Sequence, residues 1–245
     1  MNIFGLTDIG LVRKNNQDSY AIRELSGNLA LAVVCDGMGG ARAGNVASAV
    51  AVETFVAALE DACKQGIPVG TEERRVLISS ACQSANSHVF QLSVSNPEYQ
   101  GMGTTLVAAL IFSDEIYVVN IGDSRCYIWS DGKLRQITSD HSLVQALIDC
   151  GDITPEEART HPKKNLITRA LGVDDGTRCD VFSVERHEGD RLLLCSDGLT
   201  NMVPDEKIDY EISLCASPEK TAKSLLLHAV EEGAPDNVTV ILAQL

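Results

Sequence analysis

Residues 29–44 read LALAVVCDGMGGARAG. The apolar run ends abruptly at Asp36, and Gly37, Gly39, Gly40 and Gly44 fall among the next eight residues. A glycine-rich turn after a strand often cradles phosphate on its backbone N–H groups. Here an acid stands where such a loop would receive an anion. Either the turn binds a nucleotide, or Asp36 holds a cation that deals with phosphate.

The nucleotide reading fails on residue identity. A dinucleotide loop running from Gly37 and Gly39 would need a third glycine at position 42, which is Arg42. Gly39 and Gly44 have the Walker A spacing, but Asn45 and Val46 follow in place of Lys and Ser or Thr. Nothing is left to hold β- and γ-phosphates. None of the eight cysteines has an Arg six residues on, which excludes a cysteine-nucleophile phosphatase loop, and no D-x-D pair marks an aspartyl-phosphate enzyme.

Outward from this stretch, short β-type runs dominate. NIFGLTDIG, SYAIREL and NLALAVVC precede two helical stretches at 45–64 and 73–95, and 26–28 reads as a hairpin turn. In the second helix Leu77, Ala81, Ala85, Val89 and Leu92 form one stripe. TTLVAALIF, EIYVVNI, RCYIWS and KLRQIT read as a meander, with Asp131-Gly132 a plain hairpin turn. A mixed polar insertion covers about 140–177. RCDVFSVE and RLLLCS follow, then a helix capped by Ser217 with Pro218 at its first position, then NVTVILAQL. Hairpin-length connections make the sheets antiparallel, so the class is α+β. With no internal repeat or linker, 1–245 reads as one domain.

With 44% hydrophobic residues the chain can bury a sizeable core, and 34 acids against 20 bases give a net charge of −14. That balance argues against nucleic acid as a partner. No apolar run approaches the ~18 residues of a membrane span, and no signal-peptide pattern opens the chain. The cysteines (35, 63, 82, 126, 150, 179, 195 and 215) are widely spaced without a C-x-x-C pair, so zinc is not expected and a reducing cytoplasm fits.

Acids recur at strand ends: Asp36 in AVVCDG, Asp123 in VVNIGDS, Asp197 in LLLCSDG, Asp236 in GAPDNVTV, with Asp18 in VRKNNQDS. Singly, Asp36 or Asp197 would be a turn residue more often than a ligand. Strand ends that meet at one rim can gather such acids, and oxygen-only ligands beside glycine suit Mg²⁺ or Mn²⁺.

The ordered stretches TDIGLVRKNNQDSY, VVCDGMGG, GMGTTLVAAL, NIGDSRCYIW, ITSDHS, ITRALG, LLLCSDGL and PDNVTV together resemble the metal-dependent Ser/Thr protein phosphatases of the PPM family (type 2C), bacterial branch. They span residues 7–240. The resemblance implies an αββα four-layer sandwich, two antiparallel sheets flanked by helices, with a flap at about 140–177. It implies that Asp36 bridges two Mn²⁺ or Mg²⁺ ions and that the Gly37 carbonyl ligates one. Asp197 and Asp236 would hold the other, and Asp18 would act through water. Asp123 with Asp197 would take a third, weaker ion, and Arg13 would bind the substrate phosphate. Two metals sharing a water would supply hydroxide for in-line attack at phosphorus, and Arg13 a bidentate fork for phosphate oxygens. The implied partners are phosphorylated Ser/Thr proteins and a Ser/Thr kinase whose action is reversed, the enzyme being a cytoplasmic monomer.

The chain departs from the family in two places. Met38 stands where many members carry a His taken as general acid, and methionine cannot donate a proton. The leaving alkoxide needs one, which falls to a metal-bound water, with His141 or His161 as alternatives; each His alone reads as a surface or capping residue. Gln17 stands where Glu is common. Gly37 would free its carbonyl to turn, and Gly39 and Gly40 would leave room for a phosphopeptide. The competing readings are a catalytically dead binding relative, a phosphatase devoted to a sigma-factor regulator, and an ATPase, which fails at Asn45.

Overall fold

The computed structural model describes residues 1–25, 29–39, 43–214 and 217–245. The hairpin turn expected at 26–28 and Gly40 lie outside them. Strands β1 (Asn2–Asp8), β2 (Asp18–Glu24) and β3 (Ala30–Met38) come first. Along β3 the apolar side chains alternate between two cores. Leu31, Val33 and Cys35 pack against helices α1 (Gly44–Gln65) and α2 (Thr71–Ser95), while Ala30, Ala32 and Val34 face the opposite sheet. Because both faces are buried, the run is apolar throughout rather than alternating.

Strands β4 (Gly103–Thr104), β5 (Leu106–Ile111) and β6 (Glu115–Ile121) follow, then β7 (Arg125–Ser130) and β8 (Lys133–Gln136). Two short helices, α3 (Leu143–Asp149) and α4 (Pro155–Thr160), sit in the polar insertion. The chain returns through β9 (Asp180–Glu185), β10 (Arg191–Cys195), helices α5 (Asp197–Thr200), α6 (Asp205–Leu214) and α7 (Pro218–Glu231), and β11 (Val238–Gln244). One sheet runs β1-β11-β10-β7-β8; the other runs β2-β3-β5-β6-β9, with β4 on β3, and every pairing is antiparallel.

Three apolar clusters make four layers. One lies between α1/α2 and the β3 sheet, one between the sheets, and one between the β10 sheet and α5–α7. The fold is thus the expected α+β sandwich.

Three sequence expectations shift. The meander is not one sheet: after β6 the chain crosses to the other sheet at Gly122–Ser124, with Gly122 at φ +105°. The α2 stripe centres on Ile78, Ala81, Cys82, Ala85 and Val89, and Leu77 and Leu92 sit at its edge. Helix α6 is an addition to the expected elements, although Pro204, the acids at 205 and 206, and Ile208 and Ile212 four apart are helix signals. No helix among the described residues is long and apolar enough to cross a membrane.

Candidate metal centre

Asp36, Asp123, Asp197 and Asp236 line one cleft of about 630 Å³. The sheets contribute equally. Asp36 lies two residues before the end of β3 and Asp123 sits at the crossover after β6; Asp197 follows β10 and Asp236 precedes β11. Arg13 and Gln17 stand on one side, and Asn165, Leu166 and Ile167 of the insertion on another. The sequence pattern names no individual flap contact.

The backbone around Asp36 is fixed on three sides. Its N–H donates to Thr105 Oγ1 at 2.9 Å, and its carbonyl accepts from the Thr105 N–H and Thr104 Oγ1, both at 2.8 Å. Thr105 Oγ1 in turn contacts Ser124 Oγ at 2.8 Å, which couples β3 to the Asp123 turn. Gly37 donates its N–H to the Gln17 carbonyl at 3.1 Å. A Cβ there would stand 2.0 Å from the Gly44 carbonyl oxygen, so the residue is glycine because the start of α1 crowds it. We expect Gly37→Ala to cost about 1–3 kcal/mol and to lower both Tm and activity. Calorimetry and turnover on the same sample check it; an unchanged Tm would remove the steric argument. Gly39 has a similar reason, with φ +125° and the Met102 backbone 2.8 Å from its Cβ position.

Asp18 lies behind this group, opposite Asp36 in the β2–β3 register and 8% exposed. Its Oδ2 accepts from Thr239 Oγ1 at 2.6 Å and Ser196 Oγ at 2.8 Å. Its Oδ1 and the Oδ1 of Asp197 are buried without a hydrogen-bond partner. Buried polar atoms almost always find a partner, so an orphaned carboxylate oxygen in the acidic cleft, with a second just behind it, fits a cation. Asp197 starts α5, and its Oδ2 accepts from Asn201 Nδ2 at 2.9 Å. Gly198 permits this turn to seat on β11, since its Cβ position is 1.9 Å from the Asn237 carbonyl.

Burial is the largest influence on the acids, and their mutual charge adds to it. Asp36 is pushed well above the carboxylate range by burial, then by Asp18 and Asp197. Asp123 is raised to about 8 by burial, Asp197 and Asp140. Asp18 reaches about 6, burial outweighing its two hydroxyl partners. Asp197 is raised by burial and by Asp236. Such a group is less stable charged when folded than when unfolded. The folded protein therefore holds more protons than the unfolded one above the ordinary value of ~3.9. The cluster's stabilising contribution is complete below that value and is lost as pH rises through about 6 at Asp18 and about 8 at Asp123. Chelator-treated protein should thus have a lower denaturation midpoint at pH 8.5 than at pH 5.5. Asp123→Asn should flatten the upper part of that fall; a midpoint rising with pH would contradict the sign.

Among the described residues no three His, Cys, Asp or Glu side chains are closed into a metal cage. A two-ion site of hard cations asks less of the protein: one or two carboxylates per ion, a carbonyl, and waters. Asp36, Asp197, Asp236 and the Gly37 carbonyl could supply such a set. Arg13 Nη2 donates to Asp236 Oδ2 at 2.6 Å, and that bond raises the Arg13 pKa. The arginine expected as a phosphate ligand therefore stands at the cleft, beside a carboxylate. Met38 also faces the cleft.

Neither alternative proton donor is among the residues that line the cleft. His141 is buried; its Nδ1 accepts the Gly122 N–H at 3.1 Å and its Nε2 faces Asp180 Oδ2 at 3.1 Å. It braces the Asp123 turn against β9 and is not the surface residue expected. His161 is the C-cap residue of α4, its Nδ1 accepting the Lys163 N–H. Residues the sequence pattern passes over include Thr105, Ser196, Thr239 and Asn237; Thr105, Ser196 and Thr239 orient the acids. Ser196 and Asn237 carry one sequence signal, a small polar residue beside an acid at a strand end; Thr105 and Thr239 carry none.

A family model described as protein phosphatase 2C matches residues 12–229. The serine/threonine phosphatase Stp of Listeria monocytogenes serotype 4b (strain F2365) is 40% identical over 239 residues, 97% of this chain and 93% of that protein. The crystal structure of the serine/threonine phosphatase Stp1 from Staphylococcus aureus superposes with a TM-score of 0.91 at 37% identity, covering 99% of this chain and 94% of the other. The catalytic domain of the serine/threonine protein phosphatase PstP, in complex with 2 manganese ions, gives 0.85 at 39% identity, over 99% and 97%. The chain belongs to the protein phosphatase 2C family.

Proposed function

We propose that this chain, a serine/threonine phosphatase of the 2C type, hydrolyses phosphoserine and phosphothreonine in proteins and so reverses a Ser/Thr kinase. The observation that carries the reading is the gathering of four acids from two sheets around one cleft, with buried carboxylate oxygens unpartnered. Asp36, the Gly37 carbonyl, Asp197 and Asp236 would hold Mn²⁺ or Mg²⁺, with Asp18 supporting from behind and Asp123 with Asp197 available to a third ion. When bound, these ions supply positive charge for the phosphate and acidify the water that attacks phosphorus.

The chain's own residues do the rest. Arg13 stands at the cleft mouth beside Asp236, and its guanidinium can fork onto two phosphate oxygens. Thr105 and Ser196 fix the directions of Asp36 and Asp18 through their hydrogen bonds. Asn165–Ile167 of the insertion also line the cleft. With Met38 unable to donate and neither His141 nor His161 lining the cleft, the leaving alkoxide takes its proton from water. Buried cysteines used as core apolar residues, Cys35, Cys126 and Cys195 among them, support a reducing cytoplasm. The whole of 1–245 is taken as one catalytic domain acting as a monomer, with no nucleic-acid or membrane partner.

The test is hydrolysis of p-nitrophenyl phosphate and a phosphothreonine peptide with Mn²⁺ or Mg²⁺ added after chelation. Metal-dependent turnover of both is expected. No turnover with either ion would leave the chain a binding relative of the family.

A further inference from the structure

The loop that carries Arg13 has no secondary structure of its own between β1 and β2. An arginine 50% exposed at its side chain, on such a loop, would be a poor phosphate ligand unless the loop were fixed. One buried side chain grips it at both its start and its end. Asn237, 3% exposed, donates from Nδ2 to the Ile9 carbonyl at 2.9 Å and the Asn15 carbonyl at 3.1 Å. Its Oδ1 accepts the Gln17 N–H at 2.8 Å. All three bonds go to backbone, and they grip the loop on both sides of Arg13. The Asn237 N–H donates to Asp236 Oδ1 at 2.8 Å, while Arg13 takes Oδ2 of the same carboxylate.

The surroundings agree. Leu11 N–H donates to the Ala234 carbonyl at 2.9 Å. Gly10, at φ +74°, lies so close that a Cβ would meet the Asp236 carbonyl oxygen. The loop is therefore seated on the 234–237 turn, and the amide of Asn237 bonds it at both its start and its end. Only an uncharged amide offers two donors and an acceptor in this arrangement; a carboxylate would face two carbonyl oxygens.

We infer that Asn237 is a positioning residue for phosphate recognition: it holds the 9–17 loop so that Arg13 addresses the substrate phosphate while Asp236, one residue away, addresses the metal. The inference rests on the roles of Arg13 and Asp236 in the proposed function. Its consequence is a separation of effects. Losing the amide should release Arg13 and weaken substrate binding, and it should leave the acids of the cleft in place.

The experiment is a double-mutant cycle on the full chain with Mn²⁺, combining Asn237→Ser with Arg13→Ala and reading KM and kcat for p-nitrophenyl phosphate. Asn237→Ser in the wild-type background should raise KM roughly 10-fold, the scale of a misaligned charge-assisted hydrogen bond. It should change kcat and the Mn²⁺ affinity, read by titration calorimetry, by less than about 3-fold. In the Arg13→Ala background the same substitution should change KM by less than about 2-fold. Limited trypsin digestion gives a readout independent of activity: cleavage at Arg13 and Lys14 should accelerate in Asn237→Ser. Should that variant fold poorly, Asn237→Asp keeps the shape and the acceptor and removes both donors. A KM effect of equal size in both backgrounds, or a fall in Mn²⁺ affinity with KM unchanged, would overturn the inference. Wild-type protein without metal-dependent turnover would instead sink the underlying functional reading, while the trypsin comparison would still report on the loop.

Discussion

Asp36→Asn is expected to lower kcat for p-nitrophenyl phosphate in Mn²⁺ by about 10³-fold or more, and to raise the Tm of the chelator-treated protein. Both effects come from one carboxylate. Asp36 is fixed by Thr104 and Thr105 at the centre of the acidic cleft, where burial and the charges of Asp18, Asp197, Asp123 and Asp236 all oppose its ionisation. Without cations that charge is a liability; in the proposed function it would be a ligand to them. Removing a carboxylate that would hold the ions should forfeit several kcal/mol of charge stabilisation, and each 1.36 kcal/mol is tenfold in rate. Relieving the repulsion should move Tm by about 2–4 °C per kcal/mol in a chain of this size. The comparison belongs at pH 8.5, where the neighbouring acids are most ionised. A variant retaining a tenth of the activity, or one less stable than wild type in chelator, would contradict the assignment.

Saturating Mn²⁺ should produce the second large effect, a rise in Tm lost again on chelation. A ligand at ~100 times its Kd stabilises by about 2.7 kcal/mol, which at the same conversion is roughly 5–10 °C. Asp197 and Asp236 come from the sheet opposite Asp36, so the ions would join the two sheets across the cleft. Asp197→Asn should therefore abolish most of the shift while leaving the chelator-treated Tm at or above the wild-type value. Differential scanning fluorimetry across a Mn²⁺ series measures this. A full shift in Asp197→Asn would remove that residue from the ligand set.

Much of the architecture is legible in the order of the amino acids. The continuous apolar runs at 30–35 and 106–111 are strands buried on both faces, and that demands layers on either side. The acids ending such runs mark the rim, and all four of them meet there. What periodicity does not carry is the switch between sheets. Ile121 and Arg125 are only a tight turn apart, and nothing in Gly122–Ser124 distinguishes a hairpin from a crossover. The answer lies in the core between the sheets, which Ile116 and Val118 enter from one sheet and Cys126 and Ile128 from the other. The roles of Asn237 and His141 are hidden for a different reason. Each acts through hydrogen bonds to distant backbone, Ile9 and Asn15 for one and Gly122 for the other, and such partners leave no pattern in the chain. His141 in particular reads from sequence as a candidate proton donor, yet its ring nitrogens are spent on the fold.

The pairing of β1 with β11 bears on how the molecule is made. Asn2 lies opposite Gln244, and β11 sits between β1 and β10 rather than at an edge. During synthesis β1 has no neighbour in its sheet until β11 has left the ribosome, and the β10 sheet stays split until then. Asp236 and Asn237 arrive in the same final segment. The nascent chain can therefore build α1, α2 and the β2–β3–β5–β6 sheet early, but its acidic cleft is incomplete until β11 closes the gap.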